Sequence, residues 1–449
     1  MSTDRIESDA HTVTSLANHF GRLKEATILL SSKGSAAQRG YFQPSEEDEL
    51  RHLLVSYWQS RNALLDLVLT LHESPDLELA EFLVGFAGAL VLVDGARFLR
   101  EQFDSNTIVQ SKLNEPDIQF GIPAGTYATV QRSLTSPANV WRLYQAAMCF
   151  EHHEAAIRKL AATRPTLKPV LDVVDGLRHR LELGWDQYIS ERVRVRTRQL
   201  MNHVSQKMLR KTLFRLQKIL SETASTISLK PSHQPGLPPQ ISEELGDIIL
   251  PGDILVTRKE YALTNYFLPG HWPHAALYLG KVEELESSHF QDAAQMQPRW
   301  DRFKTLDLSV QGRVLEALKD GVWLRSVLSP FTSDSLVVMR PTLEPSAVLQ
   351  ALGSAVIHDG KPYDFDFDFT QSERLVCTEV VYRTYDGVGG IEFTLNRRAG
   401  RMTLSATDLL RMALSGGHFK LVTAYIPEVR DRLITHTVDA AVSQMLNDD

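Results

Sequence analysis

"GHWPHAALYLG", residues 270–280, is the stretch on which the reading of this chain turns. A glycine, a tryptophan and a proline give way at His274 to an apolar run that alternates as a β-strand does. His274, Ala276 and Tyr278 then share one face, and Ala275, Leu277 and Leu279 the other. Two readings of His274 compete: a structural histidine at the crowded, partly polar rim of a sheet, or a general base, which would require a nucleophile elsewhere in the chain. His271, next to Gly270, reads as a loop residue.

A nucleophile candidate stands in "RLVCTEVVYRTY". Cys377 opens an apolar-periodic run whose helical face continues through Val380, Val381 and Thr384. A thiol in the first turn of a helix is favoured as thiolate by the unpaired backbone N–H groups and the dipole there, and a neighbouring imidazole deepens that preference. The alternative is a small core residue, the common fate of a lone cysteine. A third element would orient the imidazole. In "GRVLEALKDGVWL", alternation sets Glu316 on a face with Val314 and Leu318, where an unpartnered carboxylate is costly. It either meets a histidine N–H on a neighbouring strand or faces water on an edge strand.

Around these residues the second half of the chain consists of short β-type runs, "GDILVTR", "HAALYLG", "GRVLEAL", "SLVVMRP" and "FKLVTAYI". Two helical stretches interrupt them, "EPSAVLQALGSAVIHD" and "ERLVCTEVVYRTYDG". This is an α+β pattern: a small, largely antiparallel sheet or barrel packed on helices. The first half has another grammar. Helical periodicity runs through "SEEDELRHLLVSYWQSRNALLDLVLTLHES" and over 77–104, 137–163 and 167–224, with Ser45 and Asp48 spaced as a capping box. "SLKPSHQPGLPPQ" separates the halves with closely spaced prolines. The expected organisation is an all-helical domain over 1–226, a Pro-rich linker over 227–247 and a catalytic domain with a C-terminal tail over 248–449.

In their order, "LPGDILVTR", "GHWPHAALYLG", "VLEALKDGV", "KPYDFDFDF" and "LVCTEVVYRTY" resemble the YaeF/YiiX type of permuted papain-like cysteine hydrolases. These are relatives of the NlpC cell-wall peptidases and of the lecithin-retinol acyltransferases. The resemblance spans roughly 248–426, with the histidine strand ahead of the cysteine helix, as circular permutation requires. It implies a papain-like fold in which Cys377 is the nucleophile, His274 the general base and Glu316 the residue that orients the imidazole. Tyr363, Asp364 and Asp253 become candidates for lining the substrate cleft. No cofactor and no metal is implied. The helical half matches no family pattern.

Other features carry less. The formal net charge of −7 argues against nucleic acid as the main partner. Cys149 and Cys377, the only two cysteines, exclude a disulfide framework, and "MSTDRIESDAH" lacks the basic and apolar regions of a signal peptide, so the expected setting is the cytoplasm. "FLVGFAGALVLV", 82–93, reads as a buried helix. "DFDFDF" reads as a half-exposed strand with its phenylalanines inward, since a calcium loop would want glycine at Phe369. "CFEHHEAAI" lacks the spacing of a zinc site, and neither a GxSxG elbow nor a phosphate-binding GxxxxGK[ST] loop occurs. Arg192 to Lys218 is basic without an acid, a solvated face or a peripheral contact for anionic membrane. The expected activity is hydrolysis of an amide through a thioester, on a peptide or similar substrate. A lipid acyl hydrolase or acyltransferase, and a catalytically inactive scaffold, are the alternatives.

Overall fold

The computed structural model describes residues 2–33, 39–71, 79–103, 106–117, 120, 122–135, 137–182, 235–260, 271–398 and 401–447. The chain divides into two compact units, Met1–Ser228 and Leu229–Asp449. The basic stretch from Arg192 to Lys218 and residues 227–234 of the expected linker lie outside the described residues.

The first unit is helical: α1 (Ser2–Lys33), α2 (Pro44–Thr70), α3 (Leu79–Phe103), α4 (Thr107–Leu113), α5 (Thr126–Thr135), α6 (Pro137–Thr163) and α7 (Leu167–Leu177). α3 touches each of the other six. It carries the "FLVGFAGALVLV" run, and it is long and apolar enough to span a bilayer, yet its most apolar window is 94% buried among the other helices. A helix apolar on every side has to be enclosed on every side, which explains its central position. α2 starts earlier than the Ser45–Asp48 spacing suggests. Pro44 takes the first helical position, where its missing N–H costs nothing, and the Glu46 carboxylate accepts from the Gln43 N–H at 2.9 Å.

The second unit is built on one antiparallel sheet of seven strands: β1 (Ile254–Arg258), β2 (His274–Lys281), β3 (Gly312–Leu318), β4 (Gly321–Ser326), β5 (Ser335–Pro341), β8 (Phe419–Ile426) and β9 (Arg430–Ile434). Their spatial order is β4-β3-β2-β1-β5-β8-β9. The short pair β6 (Asn396–Arg398) and β7 (Arg401–Thr403) stands apart. β4 and β9, which the sequence pattern did not single out, are the two edges, where charged side chains, half-exposed on β4 and exposed on β9, break the apolar alternation.

Helix α8 (Pro239–Ile248) corrects the linker reading of 227–247. Pro238 and Pro239 do not end a helix here; they start one, at the positions where proline fits. Ile241 and Leu245 pack with Leu255, Ala276, Tyr278, Val314 and Val338, so α8 covers one face of the sheet. Helices α9 (Pro345–Ala355) and α10 (Cys377–Tyr385) pack together, and α10 also rests on β2 and β3. Gly252 sets the approach of α10. Its φ of +92° suits glycine, a Cβ there would lie 2.4 Å from Val348 Cγ1, and the Tyr385 hydroxyl donates to its carbonyl at 2.6 Å.

"DFDFDF" is not a strand. Asp364 accepts from the N–H groups of Asp366 (3.2 Å) and Asp368 (2.7 Å), and Phe367 adopts φ +54°. An aspartate that bonds the backbone two and four residues on offers the chain an alternative to a ladder. Phe365, Phe367 and Phe369 nevertheless point inward and are buried, as the pattern required.

Candidate active site

Pairing sets the frame. Tyr278 lies opposite Val314 across β2 and β3, which puts His274 and Glu316 on one face near the same end of the two strands. The Glu316 Oε1 accepts from His274 Nε2 at 2.8 Å. That bond leaves Nδ1 of the imidazole for a second partner. α10 brings Cys377 beside it: as the first residue of the helix, Cys377 places Sγ 4.0 Å from the carbonyl of Pro273, the residue before His274, where its charge acts on the imidazole.

The electrostatics follow from this geometry. Burial works against a charge on His274, but Cys377 and then Glu316 outweigh it and push the imidazole up to about 9. Burial alone would raise Glu316. The His274 hydrogen bond and charge, Arg325 and the Ser329 hydroxyl outweigh burial and hold it down at about 2. Glu316 is 2% exposed, so it is a dehydrated carboxylate answered by two donors, His274 and Ser329, and by the positive charge of the Arg325 guanidinium 3.8 Å away.

Tyr363 and Asp364 are also here. Tyr363 is buried, bridges Leu375 just before the cysteine helix, and stacks edge-on against Phe365 at 5.0 Å. Burial, the Cys377 charge and Asp364 all push its phenol well above the ordinary range. Asp364 is raised to about 6 by burial, against the pull of the Asp368 and Asp366 N–H groups and of Arg374. Its bonds to the backbone organise the turn that carries Tyr363. Asp253 is not brought to this group. It is fully buried beside Tyr385, at the other end of α10, and pairs through both oxygens with Arg340 at 2.7 Å. It also accepts from the Leu250 N–H at 2.8 Å, which fastens the chain between α8 and β1.

Three residues that the sequence pattern did not point to belong to the surroundings. Ser329 lies on the short helix Leu328–Phe331, and no local signal marks it. Arg325 was findable in principle: the "KDG" turn predicts a β3–β4 hairpin, and the pairing of Val314 with Arg325 puts the guanidinium on the Glu316 face. Glu379, fully buried, lies two residues past Cys377. Its Oε1 accepts from Arg383 at 2.6 and 2.9 Å, while its Oε2 has no hydrogen-bond partner among the described residues. Burial raises this carboxyl to about 7 against the pull of Arg383, with Asp364 adding to the rise. No cluster of three or more His, Cys, Asp or Glu suited to a metal occurs among the described residues. In "CFEHHEAAI", His153 turns back on its own helix, with Nδ1 2.9 Å from the Cys149 carbonyl.

A histidine strand with a carboxylate partner, followed later in the chain by a helix that starts with cysteine and packs on the same sheet, defines a papain-like domain in circularly permuted order. Residues 249–441 match the family model of the permuted papain-like amidase enzymes, YaeF/YiiX, C92 family. The match covers somewhat less than half of the chain. No curated protein and no solved structure matches the chain.

Proposed function

We propose that the second unit is a cysteine hydrolase that cleaves an amide bond through a thioester. The observation that carries this reading is the imidazole held between Glu316 and Cys377, with its pKa pushed up to about 9. At neutral pH such an imidazole is protonated, and its natural counter-ion is the Cys377 thiolate.

The thiolate attacks the amide carbon, and the C=O electron pair moves onto oxygen. The Cys377 N–H, in the first turn of α10 and so outside the helix ladder, is placed to receive that oxyanion. His274 then gives its Nδ1 proton to the amine, the C–N bond breaks, and the acyl group remains on sulfur. In the second half His274 takes a proton from water as it attacks the thioester, and the acid leaves with the thiolate restored. Glu316 keeps Nε2 bonded throughout, so the ring presents Nδ1 to the sulfur in both halves. Tyr363, beside the thiol, lines the cleft.

Alkylation of Cys377 by iodoacetamide as a function of pH, read by mass spectrometry in the wild type and in His274→Ala, tests the reading. Rapid modification well below about pH 8.5, the region of an ordinary thiol, and its loss in the variant is the expected result. An ordinary thiol profile in both proteins would overturn it. A panel of peptides, N-acyl amides and lipid esters then tests the bond: turnover of lipid esters alone would replace the amidase by an acyl hydrolase.

A further inference from the structure

The two oxygens of Glu316 are used differently. Oε1 accepts from His274 Nε2 at 2.8 Å, and Oε2 accepts from the Ser329 hydroxyl. Of the charged groups that act on this carboxylate, His274 on β2 and Arg325 on β4 act most. The short helix that carries Ser329, Leu328–Phe331, brings no charge. On the other side of the imidazole, Cys377 of α10 is the neighbour that acts on it.

Arg325 is the unusual member of this group. Glu316 pairs with Trp323 and Val314 with Arg325, so the guanidinium lies diagonally across from Glu316 on the same face, within reach of a long side chain. An arginine so placed ordinarily grips the carboxylate with two N–H groups, the strongest form of this ion pair. Here it does not. Its Nε stands 3.8 Å from Oε2, beyond hydrogen-bond reach, and is buried with no hydrogen-bond partner among the described residues.

Asp320 accounts for the gap. Its Oδ1 accepts from Arg325 Nη2 at 2.5 Å, and its own carbonyl accepts from Trp323 Nε1 at 3.0 Å, so the acid is fixed in the turn between β3 and β4. It is buried there, where the ion pair is screened little by solvent. With Nη2 tied to the turn, the guanidinium does not advance to Glu316. That restraint matters because a two-bond Arg325–Glu316 pair would occupy both carboxylate oxygens, and Oε1 is the one that holds the imidazole.

We propose that Asp320 and Arg325 are positioning residues for the imidazole: Asp320 holds Arg325 back, so that Arg325 lends its charge to Glu316 without displacing His274 from Oε1. Both act through Glu316. The proposal rests on the reading of Cys377, His274 and Glu316 as the working group of the hydrolase.

The test is the titration of His274 in the full-length protein, followed by nitrogen NMR with isotope-labelled histidine, its signal assigned by its loss in His274→Ala. Arg325→Met removes a positive charge near the imidazolium and should raise the midpoint by about half a pH unit or more. Asp320→Asn loosens the tether, lets Arg325 close on Glu316, and should lower the midpoint by a similar amount. The double variant separates a tether from a distant charge. With no guanidinium to release, Asp320→Asn in the Arg325→Met background should shift the midpoint by less than half as much as it does alone. The proposal fails if the two shifts simply add, or if Arg325→Met leaves the midpoint unchanged or lowers it. A wild-type midpoint near 6.5, the ordinary value, together with an ordinary alkylation profile of Cys377, would overturn the hydrolase reading and this proposal with it. Low-pH alkylation in the wild type with additive shifts would overturn this proposal alone. Should Arg325→Met not fold, Arg325→Gln takes its place in the single and the double variant.

Discussion

Glu316 decides what His274 can do. It holds Nε2 and helps to push the imidazole up to about 9, so Glu316→Gln should lower kcat/KM on an amide substrate by about tenfold or more, through lost orientation and a weakened acid. In the wild type the ion pair is lost as His274 deprotonates, so activity should fall as pH rises through about 9, and in Glu316→Gln that alkaline limb should move to lower pH. Stability follows the same bond, with opposite signs at its two ends. His274 is raised from 6.5, so its contribution is complete below 6.5 and disappears as pH rises through about 9. Glu316 is lowered from 4.5, so its contribution is complete above 4.5 and disappears as pH falls through about 2. Urea unfolding of wild type and Glu316→Gln should therefore differ most between about pH 5 and 6.5 and converge toward both extremes. A difference that is flat across pH would refute the charged bond. Cys377, His274 and Glu316 were legible because each announces itself locally, by a helix start or by an alternation that buries a polar group. Ser329 was not, since its partner Glu316 comes from a strand folded beside it. Glu379, paired with Arg383 one turn on, reads in the sequence as an ordinary helical ion pair, and only the fold buries it. Asp253 meets Arg340, a strand pairing that no local pattern reveals.

At the scale of elements, the cysteine helix depends on a contact far from the thiol. Tyr385, the last residue of α10, donates to the Gly252 carbonyl, and Gly252 has no room for a Cβ beside Val348. Tyr385→Phe leaves a buried carbonyl unsatisfied and should cost about 1–3 kcal/mol. Gly252→Ala adds an unfavourable φ to a steric clash and should cost at least as much, about 1–3 kcal/mol from overpacking alone. Both are measurable as lower thermal midpoints of the transition that exposes Cys377 to alkylation; an unchanged midpoint in Gly252→Ala would mean that α10 is positioned by other contacts. The five strands named from alternation were readable because period two is a local property. β4 and β9 mix charged with apolar residues, as edges do, and so imitate loops. In "DFDFDF" the phenylalanines are buried as the alternation suggested, but there is no strand: Asp364, itself fully buried, captures backbone N–H groups and removes them from any ladder.

At the scale of the whole molecule, each unit has a core of its own, and the boundary of the second is set by packing instead of by family likeness. The family match begins at 249, and α8 ends at Ile248, so a fragment cut to the match would lack the helix that covers one face of the sheet. Leu237, Ile241 and Leu245 are each less than a tenth exposed and belong to the cluster with Tyr278, Val314 and Val338. Burying such a side chain contributes about 1.5–3 kcal/mol, so three of them carry a sizeable part of the roughly 5–15 kcal/mol by which domains of this kind are stable. Removal of α8 also frees Arg340 from the Ile248 carbonyl and uncovers a wide apolar face. A fragment 229–449 should therefore fold and keep the low-pH alkylation of Cys377, while 249–449 should be aggregated or rapidly digested by protease despite containing the complete His274–Glu316–Cys377 group. Limited proteolysis and alkylation of both fragments, side by side, give the answer. Equal behaviour of the two would mean that α8 is an appendage, and that the proline-rich stretch before the sheet is the spacer its composition suggests.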